Sequence, residues 1–135
     1  ALVSPFESVQ TEEEGLVFGR ATLEVRAGYE LLGLRAPVFN REPDDHIGLE
    51  FDFVSQALSA AAAAVADASA GVGACQDQIT PVVRRFVAEH LAGWAPPFFA
   101  EVADAAGTHF MKGLALLSGE VLAALDADLG VEAIG

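Results

Sequence analysis

The densest set of residues able to do chemistry is Glu42-Pro43-Asp44-Asp45-His46, continued by Glu50. Carboxylates at this density suit three tasks. They can take guanidinium groups bidentately, join an imidazole in holding a metal, or work beside it as acid and base. A metal needs further ligands, which His90 or His109 would have to bring from elsewhere, and the chain has no HExxH and no repeated ExxH. Catalysis lacks a Gly-rich phosphate loop, a GxSxG and a partnered nucleophile. The single cysteine, Cys75, lies in a Gly-Ala stretch with no flanking cation to lower its pKa. No catalytic residue and no metal ligand is therefore expected. The plain alternative is a capped helix start with a His46–Glu50 surface pair, since residues four apart share a helix face, with Leu49 and Phe53 beside them.

A second set is Glu89-His90-Leu91-Ala92-Gly93-Trp94-Ala95-Pro96-Pro97-Phe98-Phe99. A lone His on an apolar helical face is usually a hydrogen-bonded core residue, and Trp94 and Phe98 are usually packing. Arg84-Arg85 superficially resembles a twin-arginine export motif, but it is internal and no apolar stretch follows it. It reads as ordinary helix surface.

These residues must be positioned by helices. Residues 1–18 read as an irregular lead-in, with an extended piece at Leu16-Val17-Phe18. From Gly19 a helix follows, with Leu23, Ala27, Glu30, Leu31 and Leu34 at 3–4 spacing and Gly33 as its stop. A loop at 35–43 carries the motif. The next helix is expected from about Asp44, whose aspartates suit the positive end of a helix. Its stripe is Ile47, Phe51, Val54, Leu58, Ala61 and Val65. Ala70-Gly71-Val72-Gly73 breaks it. A third helix spans roughly Gln76 to Leu91, with Ile79, Val82, Val83, Phe86, Val87, His90 and Leu91 on a wide buried face. A short helix at Pro97–Ala106 and a long one from Gly107-Thr108 to Gly130 complete the chain. In the long one Phe110, Leu114, Leu117, Val121 and Leu125 are expected inward. The predicted fold is all-α, a helical bundle in a single domain.

Charge and composition bound the partners. Acidic residues outnumber basic ones 20 to 7, for a net charge of −13. That argues against nucleic acid, whose binding rests on Lys and Arg, and against docking on an anionic membrane. A basic partner is the natural complement. Hydrophobic residues make up 53%, too many for a disordered acidic tail. The charge-free run from Phe53 to Ala66 is too short and too mild for stable membrane insertion. The mean hydropathy of +0.39 and helices apolar around much of their girth point to packing surface shared with another segment or chain. A homo-oligomer would satisfy that.

Four pieces of sequence together resemble one family. Glu42-Pro43-Asp44-Asp45-His46 with Glu50-Phe51-Asp52-Phe53 resembles the EPxDHxxxELxFM signature of the TorD/DmsD/NarJ chaperones, the redox-enzyme maturation proteins. Pro5-Phe6-Glu7-Ser8-Val9 resembles that family's PPYESVY segment, followed by Gly19, Tyr29 and Gly33-Leu34. Phe86-Val87-x-Glu89-His90-Leu91-x-x-Trp94-x-x-x-Phe98 resembles FLxxHLxxWxxxF, and Ala105-x-x-Thr108-x-Phe110 the start of the last long helix. The pieces keep the family's order and run from Pro5 to about Leu125. Phe6 replaces the family's Tyr, and Phe51-Asp52-Phe53-Val54 replaces its Leu-Phe-Met. Members run near 200 residues, so the 135 residues here resemble the C-terminal two thirds, without the N-terminal helices.

The resemblance implies a cytoplasmic, non-catalytic chaperone for the precursor of a molybdenum-cofactor oxidoreductase. It would bind the precursor's twin-arginine signal peptide and assist cofactor loading. Guanine nucleotide is implied as a ligand by resemblance only; no P-loop supports it. The expected peptide-binding residues are Glu42, Pro43, Asp44, Asp45, His46, Leu49, Glu50, Phe53, His90, Trp94 and Phe98. Acidic side chains would take the arginines, and Leu49, Phe53, Trp94 and Phe98 the apolar stretch. His46 would tune the site with pH. The alternative is a small metal- or nucleotide-dependent enzyme on a helical bundle.

Overall fold

Helix begins earlier in the chain than its apolar pattern suggests. The computed structural model describes residues 3–37, 39–69 and 76–131, and among these it shows six α-helices, one π turn and no strand. The helices are α1 (Glu7–Thr11), α2 (Arg20–Leu31), α3 (Ile47–Ser69), α4 (Gln76–Phe86), α5 (Ala95–Ala105) and α6 (His109–Leu129), with the π turn at Val87–Leu91 after α4. The all-α expectation holds. The break at Ala70–Gly73 and Cys75 lie outside the described residues.

The lead-in is not irregular throughout, and Leu16-Val17-Phe18 is not extended. Residues 7–11 form α1, while Val17 and Phe18 lie in a turn with Phe18 at φ 59°. Five residues are too few to be stable as an isolated helix; α1 is held by contacts from far along the chain. An antiparallel bridge joins Phe6 to His46, with Ile47 N–H donating to the Pro5 carbonyl at 2.8 Å and Glu7 N–H to the Asp45 carbonyl at 3.0 Å.

Helix α2 has Gly19 at its N-cap and no side-chain cap of its own. Glu12 supplies one: its Oε1 accepts the Ala21 N–H at 2.6 Å. A side chain at position 19 would collide with that carboxylate. The inward face of α2 is Ala21, Thr22, Val25 and Tyr29, whereas Leu23 and Leu31 of the expected stripe are exposed.

Helix α3 starts at Ile47, three residues after the predicted Asp44, because the aspartates are drawn into the interior instead of capping it. By length and composition Ile47–Asp67 is apolar enough to cross a membrane, with a mean hydropathy of 1.2 over its best window. Here its Phe53, Val54 and Ala57 belong to the core. The core continues through Val83, Phe86, Val87, Leu91, Trp94 and Phe98. Rings of Tyr29, Phe53 and Phe86 meet with centroids 4.6 to 5.8 Å apart.

Thr108 caps α6 by accepting the Met111 N–H at 3.2 Å, and Gly130 ends it in the left-handed region at φ 67°. Thr108→Ala is expected to lower stability by about 1 kcal/mol, as lost N-caps usually do; urea unfolding would read this. Helix α6 packs mainly on α5. It buries Ala115, Leu122 and Leu129, while Phe110, Leu114, Leu117 and Val121, expected inward, are exposed. The seven-residue spacing of the buried set selects a different face. A groove of about 330 Å³ runs beside the exposed one, lined by Ile47, Phe51, Phe99, Leu117 and Val121 among others.

Candidate functional site

The motif loop lies where α1, α2 and α3 meet, and Pro43, Asp44, Asp45 and Glu50 are all buried. Asp44 takes Arg26 of α2 in a two-point grip, from Nη2 at 2.8 Å and Nε at 3.2 Å. Its backbone carbonyl accepts the Tyr29 hydroxyl at 2.7 Å. Asp45 accepts the Ser8 N–H at 2.7 Å and the Thr22 hydroxyl at 2.6 Å. The two aspartates thus lace three helices together. Charge-assisted bonds of this kind are short and strong, and burial raises the cost of losing either partner. Asp44 raises the affinity of Arg26 for its proton further, while partial burial opposes this.

Glu50 is different. It is fully buried, yet as a carboxylate neither of its oxygens finds a donor, and the neighbouring Trp94 indole N–H is also unpaired. Burial pushes its pKa well above the usual carboxyl range and the Glu7 carboxyl pushes it the same way, while the facing Trp94 indole opposes them. Burial likewise pushes the Tyr29 phenol up, aided by Glu50. Glu7, which the sequence reading left unassigned, reaches in from α1, and the His90 Nδ1 lies 3.1 and 3.2 Å from its two oxygens. A π turn registers His90 inward, closed by the Ala92 N–H donating to the Val87 carbonyl at 2.8 Å. Such turns re-aim side chains inside helices and recur at functional positions.

His46 and Glu50 do not form the surface pair that their spacing permits. The His46 Nδ1 accepts the Gly48 N–H at 2.9 Å, and its ring meets Phe6 edge-on at 5.2 Å. Glu42 is exposed and Leu49 half-buried, whereas Phe53, Trp94 and Phe98 are core residues. His109 is exposed at the start of α6, and no three metal-ligating side chains converge among the described residues. Of the arginine pair, Arg84 Nε donates to the Leu129 carbonyl at 2.6 Å, fastening α4 to the end of α6, and Arg85 pairs with Glu89.

Beside His90, an open groove of about 550 Å³ separates α2 from α4. Ala27, Leu31, Val82 and Phe86 line its apolar floor, and Glu24, Glu89 and Arg85 its rim, where Arg85 pairs with Glu89 at 2.8 Å. Its end at His90 connects through Glu7 to the motif loop.

The sequence profile described as nitrate reductase delta subunit matches residues 1–100, which takes in α1 to α4, the π turn and the first half of α5. The chain belongs to the nitrate reductase delta subunit family. This is a family of chaperones, of the NarJ/TorD type, that act in the maturation of a molybdoenzyme. The chain matches no curated protein and no solved structure. In this delta-type chaperone the Glu42–His46 run is at once the recognisable motif and the joint between helices. Helix α6 falls outside the family match.

Proposed function

We propose that this chain binds the twin-arginine signal region of a molybdoenzyme precursor in the cytoplasm and holds the precursor back while its cofactor is loaded. The observation that carries the reading is the groove between α2 and α4, apolar along its floor and with Glu24 and the Arg85–Glu89 pair at its rim, on a chain of net charge −13. A twin-arginine peptide has the complementary chemistry: two guanidinium groups followed by an apolar stretch. Glu24 and Glu89 beside the groove and Glu42 of the motif are acidic side chains within reach of solvent, and His46 and Leu49 are the partly open motif residues. Asp44, Asp45, Glu50, Phe53, Trp94 and Phe98 would act from behind, by fixing the helices that form the groove; His90 forms its end wall.

Calorimetric titration with a synthetic signal peptide tests this. Leu31→Asp with Val82→Asp is expected to weaken binding by about tenfold or more, equivalent to ~1.4 kcal/mol. Replacing the peptide's arginine pair by lysines is expected to weaken it as well, because an ammonium cannot form the bidentate contact. Unchanged affinity in both cases would remove the groove from consideration. Affinity is also expected to fall as salt rises, since part of the attraction is long-range.

A further inference from the structure

Helix α6 has an apolar face that nothing covers among the described residues. Phe110, Leu114, Leu117 and Val121 recur at intervals of four, three and four, the spacing of a coiled-coil seam. All four are exposed, by 75% at Phe110, 60% at Leu117 and 52% at Val121. The buried Ala115, Leu122 and Leu129 lie on another face, so the seam is no part of the core. At its far end lies the groove of about 330 Å³, walled by Ile47 and Phe51 of α3, Phe99 of α5, and Leu117 and Val121. The Phe51 and Phe99 rings stand with centroids 6.0 Å apart. The polar side chain in this groove, Ser118, donates its hydroxyl to the Leu114 carbonyl at 2.8 Å. An apolar group can therefore fill the groove without leaving that donor unpaired. A protruding ring, Phe110, and a hollow thus sit on one helix, about 16 Å apart along its axis.

We infer that this face is an interface between two copies of the chain, which pair antiparallel along α6 with Phe110 of each seated in the groove of the other. A two-fold axis passing between Leu114 and Leu117 brings Phe110 opposite Val121 and Leu114 opposite Leu117. The two pairs share one midpoint, so a single axis fills both grooves and closes the seam, and the contact is isologous and self-limiting. At about 200 Å² for a fully open large side chain, the exposures leave roughly 450 Å² of apolar surface per copy. With the groove walls a pair covers about 1,000 Å², enough for a specific interface of modest affinity. No Asp, Glu, Lys or Arg stands in the seam or lines the groove, so pairing buries no charge there. Each copy nevertheless carries −13, and salt relieves the long-range repulsion between them. Pairing therefore strengthens as salt rises, the reverse of what is expected for the signal peptide. None of these residues lines the groove between α2 and α4, and α6 lies outside the family match, so the pairing does not rest on peptide binding.

Sedimentation equilibrium of the full chain tests this. The wild type is expected to be a dimer at about 100 μM, with a micromolar Kd that falls as salt is added. Phe110→Glu and Val121→Lys are each expected to weaken pairing by about a hundredfold or more, because a two-fold interface repeats every substitution. Mixing the two variants is expected to restore a one-to-one pair. The antiparallel register sets the introduced carboxylate against the introduced ammonium in one contact and leaves Phe110 on Val121 in the other. That recovery also shows that both variants fold. A wild type that is monomeric at about 100 μM overturns the proposal. A dimer indifferent to Phe110→Glu overturns it as well, by placing the contact elsewhere. Pairing lost in both variants and not restored on mixing overturns the antiparallel register.

Discussion

Asp45→Ala is expected to lower the free energy of unfolding by about 3–5 kcal/mol. The side chain is fully buried and accepts two hydrogen bonds, from the Ser8 N–H and the Thr22 hydroxyl. Alanine would leave both donors buried without an acceptor, and the loss falls at the seam between α1 and α2. Asp45→Asn keeps one amide oxygen as an acceptor and is expected to cost less, about 1–3 kcal/mol. Glu42→Ala, three positions away but exposed, is expected to change stability by no more than about 0.5 kcal/mol. Urea unfolding of the three variants reads all of this. Equal midpoints for Asp45→Ala and Glu42→Ala would show that the motif aspartates do not lace the helices. The comparison also guards any peptide-binding assay: an Asp45 variant that loses binding can do so because α1 and α2 have come apart.

The second large effect is expected at Phe86. Its ring packs against Tyr29, Phe53 and His90, with centroids 5.8, 4.6 and 5.0 Å away. It is also the floor of the groove between α2 and α4. Phe86→Ala is expected to cost about 3–5 kcal/mol, through lost burial and the cavity left behind. For a chain of this size that corresponds to a fall in melting temperature of roughly 10–20 °C. Position 28 supplies an internal check. A Cβ there would sit 2.8 Å from the Phe86 Cδ2, so Gly28→Ala alone must push the ring aside. Combined with the smaller Phe86→Leu, Gly28→Ala is expected to cost less than by itself, a coupling that a double-mutant cycle measures. Simple additivity would mean that the glycine does not set the distance between α2 and α4.

Helix type and order were legible because α3, α4 and α6 carry long apolar stretches with clear ends at Pro43, Thr108 and Gly130. The inward faces of α2 and α6 were not. Periodicity assigns the most apolar stripe to the interior, but α2 turns Thr22 towards Asp45 and so places Leu23 and Leu31 in solvent. In α6 the small Ala115 allows close approach, and the larger Phe110 and Leu117 are left outside. The motif itself was visible at once as the densest charged run, yet density of charge does not tell a solvated site from a buried joint. Asp and Glu are rarely fully buried unless paired, and their partners Arg26, Thr22 and Ser8 are 18, 23 and 37 positions distant. Glu7 had no sequence signal beyond its place in the Pro5–Val9 segment. Its partner His90 is 83 positions on, and neither residue's neighbours point to the other.

That separation of 83 positions also bears on how the chain comes into being. Closing a loop of such length costs about 4 kcal/mol of chain entropy before any contact returns it. At ordinary rates of synthesis, roughly 4–17 s pass between the addition of Glu7 and that of His90. During that interval Ser8 and Glu7 have only nearer partners to find, with Asp45 the first available. The motif loop is therefore available to α1 seconds before the histidine is, so the order of synthesis itself favours building this maturation factor from the motif outwards.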